Sequence, residues 1–122
     1  MATLSSHVLD SVSGDHASGI RVQCNQIKSS TDRTLLFDTI ASAEGRIAEE
    51  VELSVVAADT PVVELVFHTA DYFASIGLPD DGFQIMPQVV VRLALPDTMA
   101  RYHVPLMLSP HSYSIWWSGA GS

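Results

Sequence analysis

Five histidines, His7, His16, His68, His103 and His111, are the side chains of this sequence best suited to chemistry near neutral pH, where imidazole exchanges protons. Their settings differ. His16 and His111 sit in the turn-like stretches GDHASG and SPHSY, where a solvated surface histidine is the ordinary reading. His68 closes the run PVVELVFH, where it would help pack the junction that follows. His7 and His103 instead stand in the middle of LSSHVLD and RYHVPLML, at positions where a strand more often presents Val, Ile or Thr. Alternation places His103 on one face with Arg101, Pro105 and Met107, and His7 with Ser5 and Leu9. Each run therefore has an apolar face for a core and a mixed face that carries a histidine. Either both histidines line one site, or they are two unrelated hydrogen-bonded strand residues. Two histidines without a third ligand at metal spacing make a poor zinc site, so acid–base work suits them better and no metal is expected. Arg46 follows Gly45 at a turn-to-strand junction, with Glu44, Glu49 and Glu50 close by. A surface ion pair is its ordinary explanation. No nucleophile elbow, phosphate-binding glycine loop or paired carboxylates occur elsewhere.

Short β-type runs divided by turn residues must position these groups. LSSHVLD at 4–10 reads as a first strand, and GIRVQCNQI alternates Ile20, Val22 and Cys24 with polar residues, the period of a half-buried strand. TLLFDTIA at 34–41 follows, then a turn at Ala43-Glu44-Gly45 and a strand beginning near Arg46. PVVELVFH at 61–68 and QVVVRLAL at 88–95 are β-branched, and the second is apolar on both faces apart from Arg92. That pattern leads us to expect a strand covered on both sides. One helix of about two turns interrupts the series at TADYFASIG, with Thr69 as N-cap, Asp71 in the first turn and Gly77 at the end. Strands at 100–108 and 112–117 close the chain, joined by Ser109-Pro110-His111. About seven or eight short strands with one short helix describe an all-β sandwich.

At 122 residues the expectation is a single domain, 1–122, with a flexible tail at 118–122. The sequence is 47% hydrophobic and 16% charged, which hints at surface hidden by self-association. A net charge of −8 with six basic residues argues against nucleic-acid or anionic-membrane partners. No apolar window reaches the roughly 18 residues of a membrane span, and MATLSSHVLD lacks the form of a secretory signal. The single cysteine, Cys24, excludes an internal disulfide and fits a reducing cytoplasm.

Taken together, LSSHVLDSVSG, EGRI, FHTADYFASIG with the later Phe83, and RYHVPLMLSPHSYS resemble the transthyretin fold family, and within it the 5-hydroxyisourate hydrolase branch. The resemblance covers essentially the whole chain. It implies a transthyretin-like two-sheet sandwich, assembly as a homotetramer, and small-molecule sites in a channel between dimers. It also implies cofactor-free hydrolysis of a strained ring carbonyl in urate breakdown, with His7, Arg46 and His103 as the catalytic group. The hormone-carrier branch lacks histidines at the positions of His7 and His103.

The tail departs from this pattern. The hydrolases usually end in Tyr-Arg-Gly-Ser, whereas alignment on Tyr113-Ser114 places Trp116, Trp117, Ser118 and Gly119 there. An indole cannot grip a carboxylate or urea-like group in two places as a guanidinium does. Arg101 stands where a histidine is common, and His16 where a proline is usual. The expectation is therefore a His/Arg/His acid–base enzyme turned toward a different small cyclic substrate, with Ser114, Trp116 and Trp117 shaping its binding. A genuine 5-hydroxyisourate hydrolase and a non-catalytic small-molecule-binding relative are the alternatives.

Overall fold

The structure is a computed structural model that describes residues 1–54, 59–78 and 85–118. The chain forms β1 (Ala2–Asp10), β2 (Asp15–His16), β3 (Arg21–Ile27), β4 (Arg33–Ile40), β5 (Arg46–Val51) and β6 (Val62–Phe67). The helix α1 (Thr69–Ser75) follows, and then β7 (Val89–Ala94), β8 (Arg101–His103), β9 (Leu106–Ser109) and β10 (Ser112–Ile115). Two sheets result. One has the order β4-β3-β6-β7, and the other is organised around β1. On one edge β1 pairs in parallel with β8 and then β9; on the other it pairs antiparallel with β5 and then β2. The family-like sandwich expected from the sequence is thus the observed fold.

The alternation of β1 decides what lies inside. Ala2, Leu4, Ser6, Val8 and Asp10 are buried, while Thr3, Ser5, His7 and Leu9 face outward and are half-buried. Val22, Cys24, Val63, Leu65, Phe67, Tyr102, Val104, Leu106 and Leu108 complete the core between the sheets. Two polar residues on this inner face are fully bonded. The Ser6 hydroxyl donates to the Val104 carbonyl at 2.6 Å. Asp10 accepts from Tyr72 Oη at 2.8 Å and from the Val12 and Ser13 amides at 2.8 and 3.2 Å. Burial pushes the Asp10 pKa up, but these donors outweigh it and hold the carboxyl below its ordinary value. Asp10 therefore fixes the turn that leads into β2 and ties α1 to the β1 sheet.

Several expectations change. The strand foreseen at 100–108 breaks into β8 and β9, because Pro105 is buried at the break and supplies no ladder N–H. Pro105 therefore does not share an exposed face with His103. β7 is an edge strand, with Val90 46% exposed; its apolar character reflects β-propensity rather than burial on both sides. The strand covered on both faces is β6, whose Glu64 is held by Arg33 at 2.8 Å and Arg92 at 3.3 Å. Thr69 is the first helical residue rather than the cap; His68 occupies the cap position, and its side chain makes no capping bond to the helix. The Thr69 hydroxyl donates instead to the Met86 carbonyl at 3.4 Å. Gly77, at φ +78, does end the helix. Cys24 is a buried hydrophobe whose thiol burial pushes up to about 12. Phe83 and the tail from Gly119 to Ser122 lie outside the described residues.

Gly45 sets the β1–β5 register. Its φ is +71, its amide donates to the Ser42 carbonyl at 2.9 Å, and its carbonyl accepts from the Val8 amide at 2.8 Å. A Cβ at this position would meet the Val8 carbonyl oxygen and come within 3.1 Å of the Ala17 nitrogen. Gly45→Ala is expected to destabilise the protein by about 1–3 kcal/mol, measured by urea denaturation.

Candidate active site

The outward face of β1 collects the residues singled out by type. Arg46 is paired directly with His7 across β5, and His103 directly with Ser5 across β8. Directly paired residues share a face and lie about 5 Å apart at Cβ, so His7, Arg46, Ser5 and His103 form one patch. The mid-strand histidines are neighbours on one sheet. The strand break after His103 matters here, since Val104 still donates to the Ser5 carbonyl at 2.8 Å and holds β8 in register.

A cavity of about 390 Å³ opens on this face, lined by Ser5, Ser6, Ser42, Arg46, Ile47, Ala48 and His103. Nδ1 of His103 lies 2.8 Å from the Ser5 hydroxyl, which fixes the ring and leaves Nε2 without a protein partner among the described residues. Arg46 makes no ion pair among the described residues, despite the acids near it in sequence. Its guanidinium is thus available to an anionic group. Burial, the Arg46 charge and His16, in that order, hold the His7 imidazole below the usual histidine value of 6.5. A hydrogen bond to the Glu44 carbonyl opposes this in part, and His103 adds a smaller push in the same direction as Arg46. The net effect favours the neutral imidazole of His7. Among the described residues no group of three or more His, Cys, Asp or Glu side chains could hold a metal ion.

The other sequence candidates fall elsewhere. Ser114 is exposed on β10, paired with Met107. The tail continues antiparallel beside His103: the Trp116 amide donates to the Pro105 carbonyl at 3.2 Å and the Ser118 amide to the His103 carbonyl at 2.8 Å. This register aligns Ser118 with His103 and turns Trp117 to the opposite face. Trp117 lines a separate cavity of about 370 Å³ with Arg92, Leu93, Ala94, Leu95, Pro96 and Tyr102. Trp116 borders Val91, Leu93, Val104 and Ile115. Within one protomer neither indole lines the cavity of Arg46 and His103. His68 is buried against Gln23, 2.6 Å from Nε2, and His111 is exposed in the β9–β10 turn.

Sequence reasoning missed His16. It is more than a solvated turn residue, because its Nδ1 lies 3.0 Å from Nε2 of His7. Only the folding back of β2 onto β1 brings them together. Ser5 was visible as the outward neighbour of His7, but its bond to His103 depends on parallel pairing 98 residues away.

The model of the HIUase/Transthyretin family matches residues 4–117. A 5-hydroxyisourate hydrolase of Deinococcus radiodurans is 36% identical over 93% of this chain and 92% of its own. Another, from Pseudomonas aeruginosa, is 34% identical over 95% and 90%. The crystal structure of (S)-allantoin synthase has a TM-score of 0.80 at 25% identity, covering 97% of this chain and 44% of that one. This chain therefore spans less than half the length of that protein. The Klebsiella pneumoniae 5-hydroxyisourate hydrolase structure has a TM-score of 0.72 at 22% identity over 96% and 99% of the two chains. At that identity it attests the fold alone.

The depressed His7 titration gives a direct check on the geometry. Removing the positive charge opposite it, in Arg46→Gln, should raise the pH midpoint of the His7 ring toward 6.5. NMR titration of the histidine Cε1–H signals measures this, and no upward movement would separate Arg46 from His7.

Proposed function

Because the chain belongs to the HIUase/Transthyretin family, we propose that it is a cofactor-free acid–base enzyme that opens or hydrolyses a small cyclic, amide-rich substrate in the cavity beside His103 and Arg46. The observation that carries this reading is the cavity itself, where an anchored imidazole and an unpaired guanidinium line one wall. His103 takes a proton from water as the water attacks a ring carbonyl. Arg46 holds an anionic ring oxygen or the charge that develops on the tetrahedral intermediate. The His103 imidazolium so formed returns the proton to the leaving ring nitrogen. No metal, redox or organic cofactor is needed for this sequence of proton transfers.

The substrate we favour is a ring compound other than 5-hydroxyisourate. The support is Trp117, which stands where the hydrolase pattern has arginine and turns away from His103, so the bidentate polar contact of that pattern is missing. Assembly as a homotetramer, which the resemblance implies, would set the site in a channel between dimers. Exposed Met107, Tyr113, Trp116 and Trp117 near β9 and β10 offer apolar surface for that assembly. A second reading, 5-hydroxyisourate itself as substrate in purine breakdown, is favoured by the relatives of that name at 34–36% identity. No helix among the described residues is long and apolar enough to cross a membrane.

Freshly generated 5-hydroxyisourate, followed by its ultraviolet absorbance, separates the two substrates. We expect the protein to accelerate its decay only weakly; turnover at rates usual for enzymes would establish the second reading. On whichever cyclic amide is turned over, His103→Asn should lower kcat/KM by about 10²–10⁴-fold while leaving the thermal midpoint near that of the parent. Full activity in that variant would remove His103 from the reaction.

A further inference from the structure

His16 approaches the site from β2, a strand of two residues whose pairing sets His16 opposite Leu9. Its side chain reaches back to His7, with ring centroids 5.1 Å apart and planes inclined by 34°. Nε2 of His7 and Nδ1 of His16, at 3.0 Å, need one proton between them, since two lone pairs or two N–H groups at that distance repel. The remaining contacts decide which ring carries it. The Glu44 backbone carbonyl favours a hydrogen on the His7 nitrogen that is turned away from His16. A neutral His7 then presents Nε2 as a lone pair, and His16 Nδ1 is the donor. The far nitrogen of His16, Nε2, lies 4.0 Å from Asp15 Oδ1.

The surrounding charges agree with this assignment. Arg46 on β5 and His103 on β8 both disfavour an added proton on His7. Glu44 presents its backbone carbonyl to the His7 ring, and Asp15 stands on the solvent side of His16.

We infer that His16 is a positioning residue of this site: it donates Nδ1–H to Nε2 of His7, reinforces the tautomer that Glu44 favours and engages that lone pair away from the cavity, leaving His103 as the imidazole that meets the ligand. The inference rests on the acid–base reading above and sharpens it, dividing labour between two histidines that the sequence could not tell apart. The cavity fits this division, since His103 lines it and His7 does not.

The test is ¹⁵N NMR of histidine-labelled protein without any substrate. In the parent, His7 Nε2 should show the shift of an unprotonated, hydrogen-bonded nitrogen, and its other nitrogen that of an N–H. His16→Ala should remove the hydrogen-bond shift of His7 Nε2 and raise the His7 midpoint. His16→Asn, whose amide N–H can occupy the place of Nδ1, should restore that Nε2 shift. Identical His7 nitrogen shifts and midpoint in the parent and His16→Ala would overturn the inference, as would failure of Asn to restore what Ala removes. Because no substrate is present, failure of the enzymatic reading would appear only in the turnover assay, and failure of the His16 inference only here.

Discussion

Everything at the site depends on the pairing of β1 along both of its edges. β1 is the one strand that touches β2, β5, β8 and β9, so its register fixes four elements at once. Val8 is the point where that register is secured. Its amide binds the Gly45 carbonyl and its carbonyl accepts from Ala17 at 2.9 Å. Those two bonds set Arg46 opposite His7 and bring His16 within reach of it. A slip of one residue would send His7 into the core and Val8 to solvent, which the buried row of Leu4, Ser6, Val8 and Asp10 forbids.

The same sheet separates core from chemistry by alternation alone. Ser6 and Asp10 face inward and are fully bonded, so they tie the sheet to Val104 and to α1 without offering a reactive group. Ser5 and His7 face outward and bond to other side chains. Residue by residue, β1 gives stability on one face and proton-transfer groups on the other. Arg46 is kept available because the acids near it in sequence do not pair with it, while Arg21, Arg33 and Arg92 are each held by a carboxylate. A guanidinium with no ion pair among the described residues, beside an anchored imidazole, suits the small ring bearing carbonyl or anionic oxygen that we propose as substrate.

Much of this was legible in the sequence for a local reason. His7 and His103 interrupt a period-2 pattern at places that ask for a β-branched residue, and Gly45 marks the turn that delivers Arg46. What was not legible is non-local. His16 looked like a turn residue because its partner is reached only when β2 folds back on β1. The break at Pro105 was hidden by the apolar run around it, and the exposure of Val90 by a composition that reads equally well as edge or centre. Thr69 has the type of an N-cap, but a carbonyl from the segment before β7 engages its hydroxyl. The tail was recognisable as a departure, yet its direction was not. Hydrogen bonds to Pro105 and His103 place Trp117 on the face away from His103.

Two cavities thus compete for the role of ligand site, one beside Arg46 and His103 and one beside Trp117 and Leu95. Titration of urate, a planar anionic ring of urea and amide groups, into the isotopically labelled protein discriminates between them most directly. The account predicts saturable shifts of the Arg46 Nε–H and the His103 ring, with the Trp117 indole N–H unmoved. Shifts confined to the Trp117 indole and the Leu95 methyls, with His103 and Arg46 unaffected, would contradict it.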